Sequence, residues 1–407
     1  MNTLQPVNGI KLFANQRKPY YPVKLFSAET CQAVRRFQNS MADYEPTPLV
    51  SLDSLAAKLG VAKVYVKDES SRFGLNSFKA LGCSFGMANL LAEKLGIAAE
   101  NITDAVLISK GAKKKTGDTV FVSATDGNHG RGVAWCAARY GCRAVIYLPK
   151  EAAPFRVAAI QNEGAEVHVT DLNYDDTVRL ATQKARENGW TLVQDTAMPG
   201  YEQIPRWIMQ GYTTMVAEAL DQIEQRGGPL PTHVFLQAGV GSMSGAVLGY
   251  LLEKYKGGHP KTIIIEAKNA ACMYKSILAG DGKPHRVAGD LETIMAGLAC
   301  GEPNPIGWEI LRDYADYFVS CPDYVTVEGM RRLADPIGAD HKIVSGESGA
   351  VGIGLIELLM SKPKWAEHRN AISLDRPSIV LAFSTEGDTD PAGYRKIIYP
   401  GQTQFSI

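Results

Sequence analysis

Between residues 84 and 195, apolar runs of strand length alternate with longer segments whose apolar positions recur every three or four residues. The order is helix CSFGMANLLAEKLG, strand DTVFVSAT, loop DGNHG, helix RGVAWCAARYG, strand RAVIYLP, helix PFRVAAIQNEG, strand EVHVTD, helix YDDTVRLATQKARENG and strand TLVQDTA. Such alternation predicts a parallel sheet with helices on both faces. Gly141, Gly164 and Gly189 fall where helix C-caps belong. A second alternating section begins near residue 205, with helix RWIMQGYTTMVAEALDQIEQ, strand THVFLQA, a Gly-rich loop, helix AVLGYLLEKY, strand KTIIIEA and a late strand PSIVLAFST. The first 80 residues hold the strand VAKVYVKDE but too few apolar positions for a core of their own, so they are expected to join this later section. Residues 281–310, rich in Gly and Pro, read as irregular loop.

Composition narrows the picture. A chain of 407 residues favours two domains, and 45% hydrophobic with 21% charged residues is ordinary for a globular protein. Lys+Arg 43 balances Asp+Glu 43, which leaves no basic field for nucleic acid or an anionic membrane. The one basic run, Lys113-Lys114-Lys115, is expected to be a solvated loop. Neither the seven cysteines nor the seven histidines show a metal-ligand spacing, so no metal site and no disulfide framework is expected. MNTLQPVNGIKLF lacks the layout of a secretory signal, and no apolar run is long enough to span a membrane. The expectation is a soluble, cytoplasmic protein.

Candidate chemistry begins at Lys79, in Asn76-Ser77-Phe78-Lys79, between the strand-like VYVKDES and a helix. Alone, such a lysine is usually solvated. Far downstream, THVFLQA opens into Gly239-Val240-Gly241-Ser242-Met243-Ser244-Gly245, where glycines and a helix N-terminus can cradle a phosphate. The loop also fits a dinucleotide fingerprint, with Glu266 as the ribose acid, although its spacing is GxGxxxG and not GxGxxG; a merely structural turn is the third reading. A lysine at a helix start together with a phosphate cradle describes a site for a phosphorylated carbonyl cofactor held as a Schiff base, and pyridoxal 5'-phosphate is the candidate. The loop Thr125-Asp126-Gly127-Asn128-His129-Gly130 follows a strand's carboxyl end, where open α/β sheets bind ligands, though Asn and Gly are ordinary turn residues and His129 is as readily a packed histidine. Asp195 ends TLVQ and could equally be a helix N-cap. Thr385 closes the last strand, where a hydroxyl can bond a pyridine nitrogen or cap a turn.

Thr47-Pro48-Leu49, VYVKDES, SFK, GNHG and the Gly cradle, in this order, resemble the fold-type II pyridoxal-phosphate enzymes, the tryptophan-synthase-β family, over nearly the whole chain. Within that family RFGLNSFKALG (72–82), TDGNHGRGVAW (125–135), QDTAMPGY (194–201), AGVGSMSG (238–245), IMAGLACGEPNP (294–305) and FSTEGDTDP (383–391) are similar to the diaminopropionate ammonia-lyases. The resemblance implies two α/β domains, each an open, mostly parallel sheet flanked by helices, with the active site between them. A large cofactor domain is expected at 1–83 plus 196–407 and a small one at 84–195. It implies that Lys79 forms the Schiff base, Asn128 contacts the phenolate, Gly239, Val240, Gly241, Ser242, Met243 and Ser244 bind phosphate, and Thr385 faces the pyridine nitrogen. It further implies α,β-elimination of 2,3-diaminopropionate, in D and L forms, to pyruvate and two ammonia.

Serine/threonine dehydratases of the same fold, or a catalytically silent binding protein, are the alternatives. The dehydratases usually carry a small hydroxyl residue where this chain has Asp126; with Asp195 it supplies two acids for a substrate with two amino groups. Lys79, Asp126 and Asp195 are thus the expected catalytic residues, with Asp126 the base for the D form. FSTEGDTDP lies near the end of the sequence, so the regulatory domain of many biosynthetic threonine dehydratases is not expected. A homodimer is expected from the family. Cys272 and Cys300, both placed in irregular chain, are expected to stay reduced in a cytoplasmic setting.

Overall fold

The structure, a computed structural model, describes residues 3–150 and 152–400. Its strands are β1 (Lys11–Ala14), β2 (Leu49–Ser51), β3 (Lys63–Asp68), β4 (Val120–Ala124), β5 (Arg143–Leu148), β6 (Glu166–Val169), β7 (Thr191–Leu192), β8 (His233–Gln237), β9 (Lys261–Ala267), β10 (Tyr317–Cys321) and β11 (Ile379–Ser384). They form two sheets. One has the order β6-β5-β4-β7 and is parallel throughout; the other runs β1-β10-β9-β8-β11-β3-β2, parallel except for its two antiparallel edge strands. The inner strands β4 and β8 are buried along their whole length, which explains their unbroken apolar runs: helices cover both faces. β3, from the start of the chain, lies beside β11, from its end, and β11 separates β3 from β8.

Helix Lys79–Leu95 is the axis of the molecule. It packs along helix Gln203–Gln225 at a distance only glycine allows: a Cβ on Gly82 would sit 2.4 Å from Tyr212 Cε1, and one on Gly211 2.3 Å from the Leu81 carbonyl oxygen. The helix runs unbroken across the 83/84 boundary expected from sequence.

Several expectations are corrected. Lys113-Lys114-Lys115 is not loop but the last turn of helix Lys110–Thr116, with the lysines at the C-terminal end where the helix dipole favours cations. Residues 281–310 are not all irregular, since helix Pro305–Tyr314 starts inside them, Pro305 occupying its first turn and Asn304 Oδ1 accepting from Ile306 N at 3.1 Å. Cys272 opens helix Cys272–Ala279. The helix expected from Arg131 begins at Asn128, so Asn128 and His129 belong to its first turn. β7 has only two residues, which frees Gln194 and Asp195 from the ladder. Cys272 and Cys300 are both buried free thiols. Among the described residues no helix is long and apolar enough to cross a membrane, and no group of His, Cys, Asp and Glu could hold a metal ion.

Candidate active site

A cleft opens between the two sheets, at the carboxyl ends of β4 and β8. Lys79 reaches it from a strained approach. After β3 the chain turns through Phe73 (φ +51°), Gly74 (φ +70°) and Asn76 (φ +59°), and such backbone is kept only where its surroundings over-determine it. Here they do. Phe78 N donates to Thr385 O at 3.1 Å, Gly387 N to Asn76 O at 3.0 Å, and Asn76 Nδ2 to Asp388 Oδ1 at 3.1 Å. Arg72 anchors the upstream end in a fully buried ion network with Glu69, Glu218 and Lys67.

Lys79 Nζ lies 2.7 Å from Asp195 Oδ2, near the rings of Phe78 and Tyr212. Burial disfavours the ammonium, but Asp195, then Tyr212 and Asp126, outweigh it and hold the Lys79 pKa well above the usual lysine range. Burial likewise pushes the Asp195 carboxyl up, and Lys79 and His129 pull it down to about 2. The pair is therefore ionised, with Asp195 holding the amine at one fixed point.

The Gly loop stands across from it. Gly241 (φ +87°) precedes helix Ser242–Tyr255, whose first N–H groups receive no side-chain cap. A Cβ on Gly241 would lie 2.4 Å from Met273 Cε, and one on Gly239 2.9 Å from Gly297 O. Uncapped donors at a helix N-terminus form an anion cradle. Gly239, Val240, Gly241, Ser242 and Met243 line the cleft. Ser244 does not: it is buried, and its hydroxyl donates to Gly241 O at 3.3 Å. The Ser242 hydroxyl donates to Asp195 O at 2.6 Å, and Asn304 Nδ2 donates to that hydroxyl at 2.7 Å, which ties the cradle to the Lys79 partner. The dinucleotide reading fails at Glu266, whose two carboxylate oxygens accept from Met273 N and Tyr274 N at 2.7 Å and cap a helix instead of facing a ribose.

Asp126 and Asn128 come from the loop after β4. Asp126 Oδ2 is buried without a hydrogen-bond partner, an orphaned acceptor at the cleft wall. Asn128 Nδ2 donates to Glu386 Oε2. His129 is packed: Nε2 meets Val193 O at 2.9 Å, Nδ1 lies 3.5 Å from Cys83 Sγ, and burial lowers its pKa. Thr385 Oγ1 accepts from Gln237 Nε2 at 2.9 Å, which leaves its own O–H to donate, as a pyridine nitrogen requires. The cradle, the lysine, the Thr385 donor and the orphaned Asp126 oxygen together fit a phosphorylated pyridine aldehyde and an amino-acid substrate.

Sequence reasoning missed Gln237, Glu386, Ser348 and Asn304. Gln237 had a weak signal, the polar end of an apolar strand. Glu386 had none, because its partner Asn128 is separated from it by most of the chain.

The model of the pyridoxal-phosphate dependent enzymes matches residues 41–372. The chain is 50% identical over 392 residues to a diaminopropionate ammonia-lyase of Escherichia coli (strain K12), covering 96% of each. The crystal structure of holo diaminopropionate ammonia lyase from Escherichia coli superposes with a TM-score of 0.90 at 48% identity, over 97% of both chains. Another, of that enzyme with an aminoacrylate-PLP azomethine reaction intermediate, gives 0.89 at 48%, again over 97% of both. With the cleft's lysine and phosphate cradle, these likenesses settle the lineage: the chain belongs to the pyridoxal-phosphate-dependent enzymes and, within them, to the diaminopropionate ammonia-lyase family.

Proposed function

We propose that the protein eliminates ammonia from both enantiomers of 2,3-diaminopropionate, yielding aminoacrylate, which hydrolyses to pyruvate and a second ammonia. Pyridoxal phosphate, when bound, supplies an electron sink for the charge left when the Cα proton departs. In this reading Lys79 holds the cofactor carbonyl, Asn128 its phenolate, Thr385 its pyridine nitrogen, and the N–H groups of residues 239–243 its phosphate. Lys79 Nζ removes the Cα proton of the L form and Asp126 Oδ2 that of the D form. Asp195 orients Lys79 and, with Asp126, receives the second ammonium. Helix Lys79–Leu95 bridges the two proposed domains, 1–83 with 196–407 and 84–195, and the working unit is a cytoplasmic homodimer.

The carrying observation is Asp126 Oδ2. A buried carboxylate oxygen without a donor beside an ionised Lys79–Asp195 pair suits a group that receives a proton or an ammonium, whereas a small hydroxyl residue would be a poor base there. The test is pyruvate release from D- and L-diaminopropionate, serine and threonine at matched concentration. A higher kcat/KM on diaminopropionate is expected; an equal or higher value on serine or threonine makes this a dehydratase.

A further inference from the structure

Glu386 is 2% exposed and pinned from every side. Its backbone bridges Ser77, two residues before Lys79, and its carbonyl accepts from Gly346 N at 2.9 Å. One carboxylate oxygen accepts from Ser348 N at 2.9 Å; the other accepts from Asn128 Nδ2, across the cleft from the neighbouring sheet. The charged groups around it are Arg156, from helix Pro154–Asn162, and the acids Glu347 and Asp390, with Arg156 Nη2 bonded to Thr389 Oγ1 at 3.2 Å.

An amide side chain can present either its donor or its acceptor, and the two orientations nearly coincide in shape. A carboxylate only accepts, so its contact with Asn128 excludes the orientation with Oδ1 toward Glu386. Asn128 Nδ2 has a second proton, available for the cofactor's phenolate oxygen. We propose that Glu386 is a positioning residue for the elimination reaction, fixing the Asn128 amide so that a donor and not an acceptor meets the phenolate. The inference rests on the reading of Asn128 given above. A glutamine at 386 would keep the bond to Ser348 N yet offer an amide N–H to Asn128, which frees Asn128 to turn over.

The readout is the pH titration of the bound cofactor's absorption spectrum. A donor on the phenolate competes with the imine proton for that oxygen, so its loss raises the imine pKa. Asn128→Ala should raise the spectral pKa by about one unit, the scale of a hydrogen bond to a charged group. Glu386→Gln should raise it comparably, and the double variant no further. Asn128→Ala without a shift overturns the site reading and this inference with it. A shift in Asn128→Ala but none in folded Glu386→Gln, or additive shifts in the double variant, overturns the role of Glu386 alone. Should Glu386→Gln not fold, the wild-type holoenzyme still decides. Selective 15N-asparagine labelling, assigned with Asn128→Ala, should show an exchange-protected Asn128 amide that moves when cofactor binds; an unprotected or unmoved amide overturns the proposal.

Discussion

Two buried charge clusters flank the segment between β3 and Lys79, and they are built on opposite plans. Upstream, Lys67, Glu69, Arg72 and Glu218 form a saturated network: Arg72 donates to both carboxylates, Lys67 Nζ to Glu218 at 2.5 Å and to Thr47 O at 2.6 Å, and Thr47 Oγ1 to Glu69 at 2.6 Å. Downstream, Lys79 has one acid, and Asp126 keeps an oxygen with no donor. Burying an unpaired polar atom is unfavourable, so one on the wall of a cleft invites a partner from outside the chain. The saturated cluster fixes the backbone; the incomplete one is open to a partner in the cleft.

Removing the lysine should break the downstream cluster completely. Lys79→Ala is expected to lower turnover about 10⁴-fold or more, combining loss of a base with loss of the covalent hold. Borohydride treatment followed by mass spectrometry should find cofactor fixed in the wild type and none in the variant.

The upstream cluster should respond in stability instead. Glu218→Gln leaves Arg72 and Lys67 short of a counter-charge and is expected to cost about 3–5 kcal/mol, read from denaturant midpoints, with activity per folded molecule retained. The pH dependence follows from the direction of its shift. Burial raises the Glu218 pKa, but Arg72 and Lys67 lower it further, so the net is below the usual glutamate value. Its stabilisation is fully present above the unfolded pKa of about 4.3 and is lost as pH falls through the lower folded value. Acid titration of wild type and variant should show their stabilities converging only at low pH. Convergence already at neutral pH would erase the distinction between the clusters.

Asp126→Asn sharpens it further. Turnover of D-diaminopropionate should fall at least about 10²-fold, with a smaller loss on the L form and no loss of melting temperature, since no hydrogen bond to Oδ2 is broken. Equal losses on both enantiomers would assign Asp126 to ammonium binding. Smallest of all is the exposed pair Lys63–Asp53, 2.7 Å apart. Lys63→Gln should change stability by less than about 1 kcal/mol in chemical denaturation.

The downstream cluster was legible in the sequence to the extent that its members sit at element ends. Asp126, Asp195 and Thr385 each follow an apolar run, Lys79 opens a helix, and the glycines of 239–245 announce a close approach. What escaped was everything that depends on one sheet meeting the other. Asn128 was assigned to a cofactor atom, yet its partner Glu386 follows from no spacing or periodicity. Ser242 and Ser244 looked alike in the cradle, but the helix turns one hydroxyl to Asp195 O and the other to Gly241 O. Helix Pro305–Tyr314 was lost among glycines and prolines, although Asn304-Pro305 is a helix-start signal. Helix Val351–Ser361, apolar on almost every side, has no stripe by which periodicity finds it.

The placement of β11 bears on how the protein is made. Synthesis runs from the N-terminus, and β11, between β8 and β3, is the last of the described strands to emerge. Until it does, the larger sheet has a gap at its middle and β3 has only the short β2 as a neighbour. The strands of the smaller sheet all lie between residues 120 and 192, so that sheet can assemble while the ribosome is still working. Thr385 and Glu386 follow β11 directly, so a nascent chain has the lysine and the Gly loop before it has this wall of the cleft. One strand thus closes the middle of the larger sheet and the wall of the cleft together.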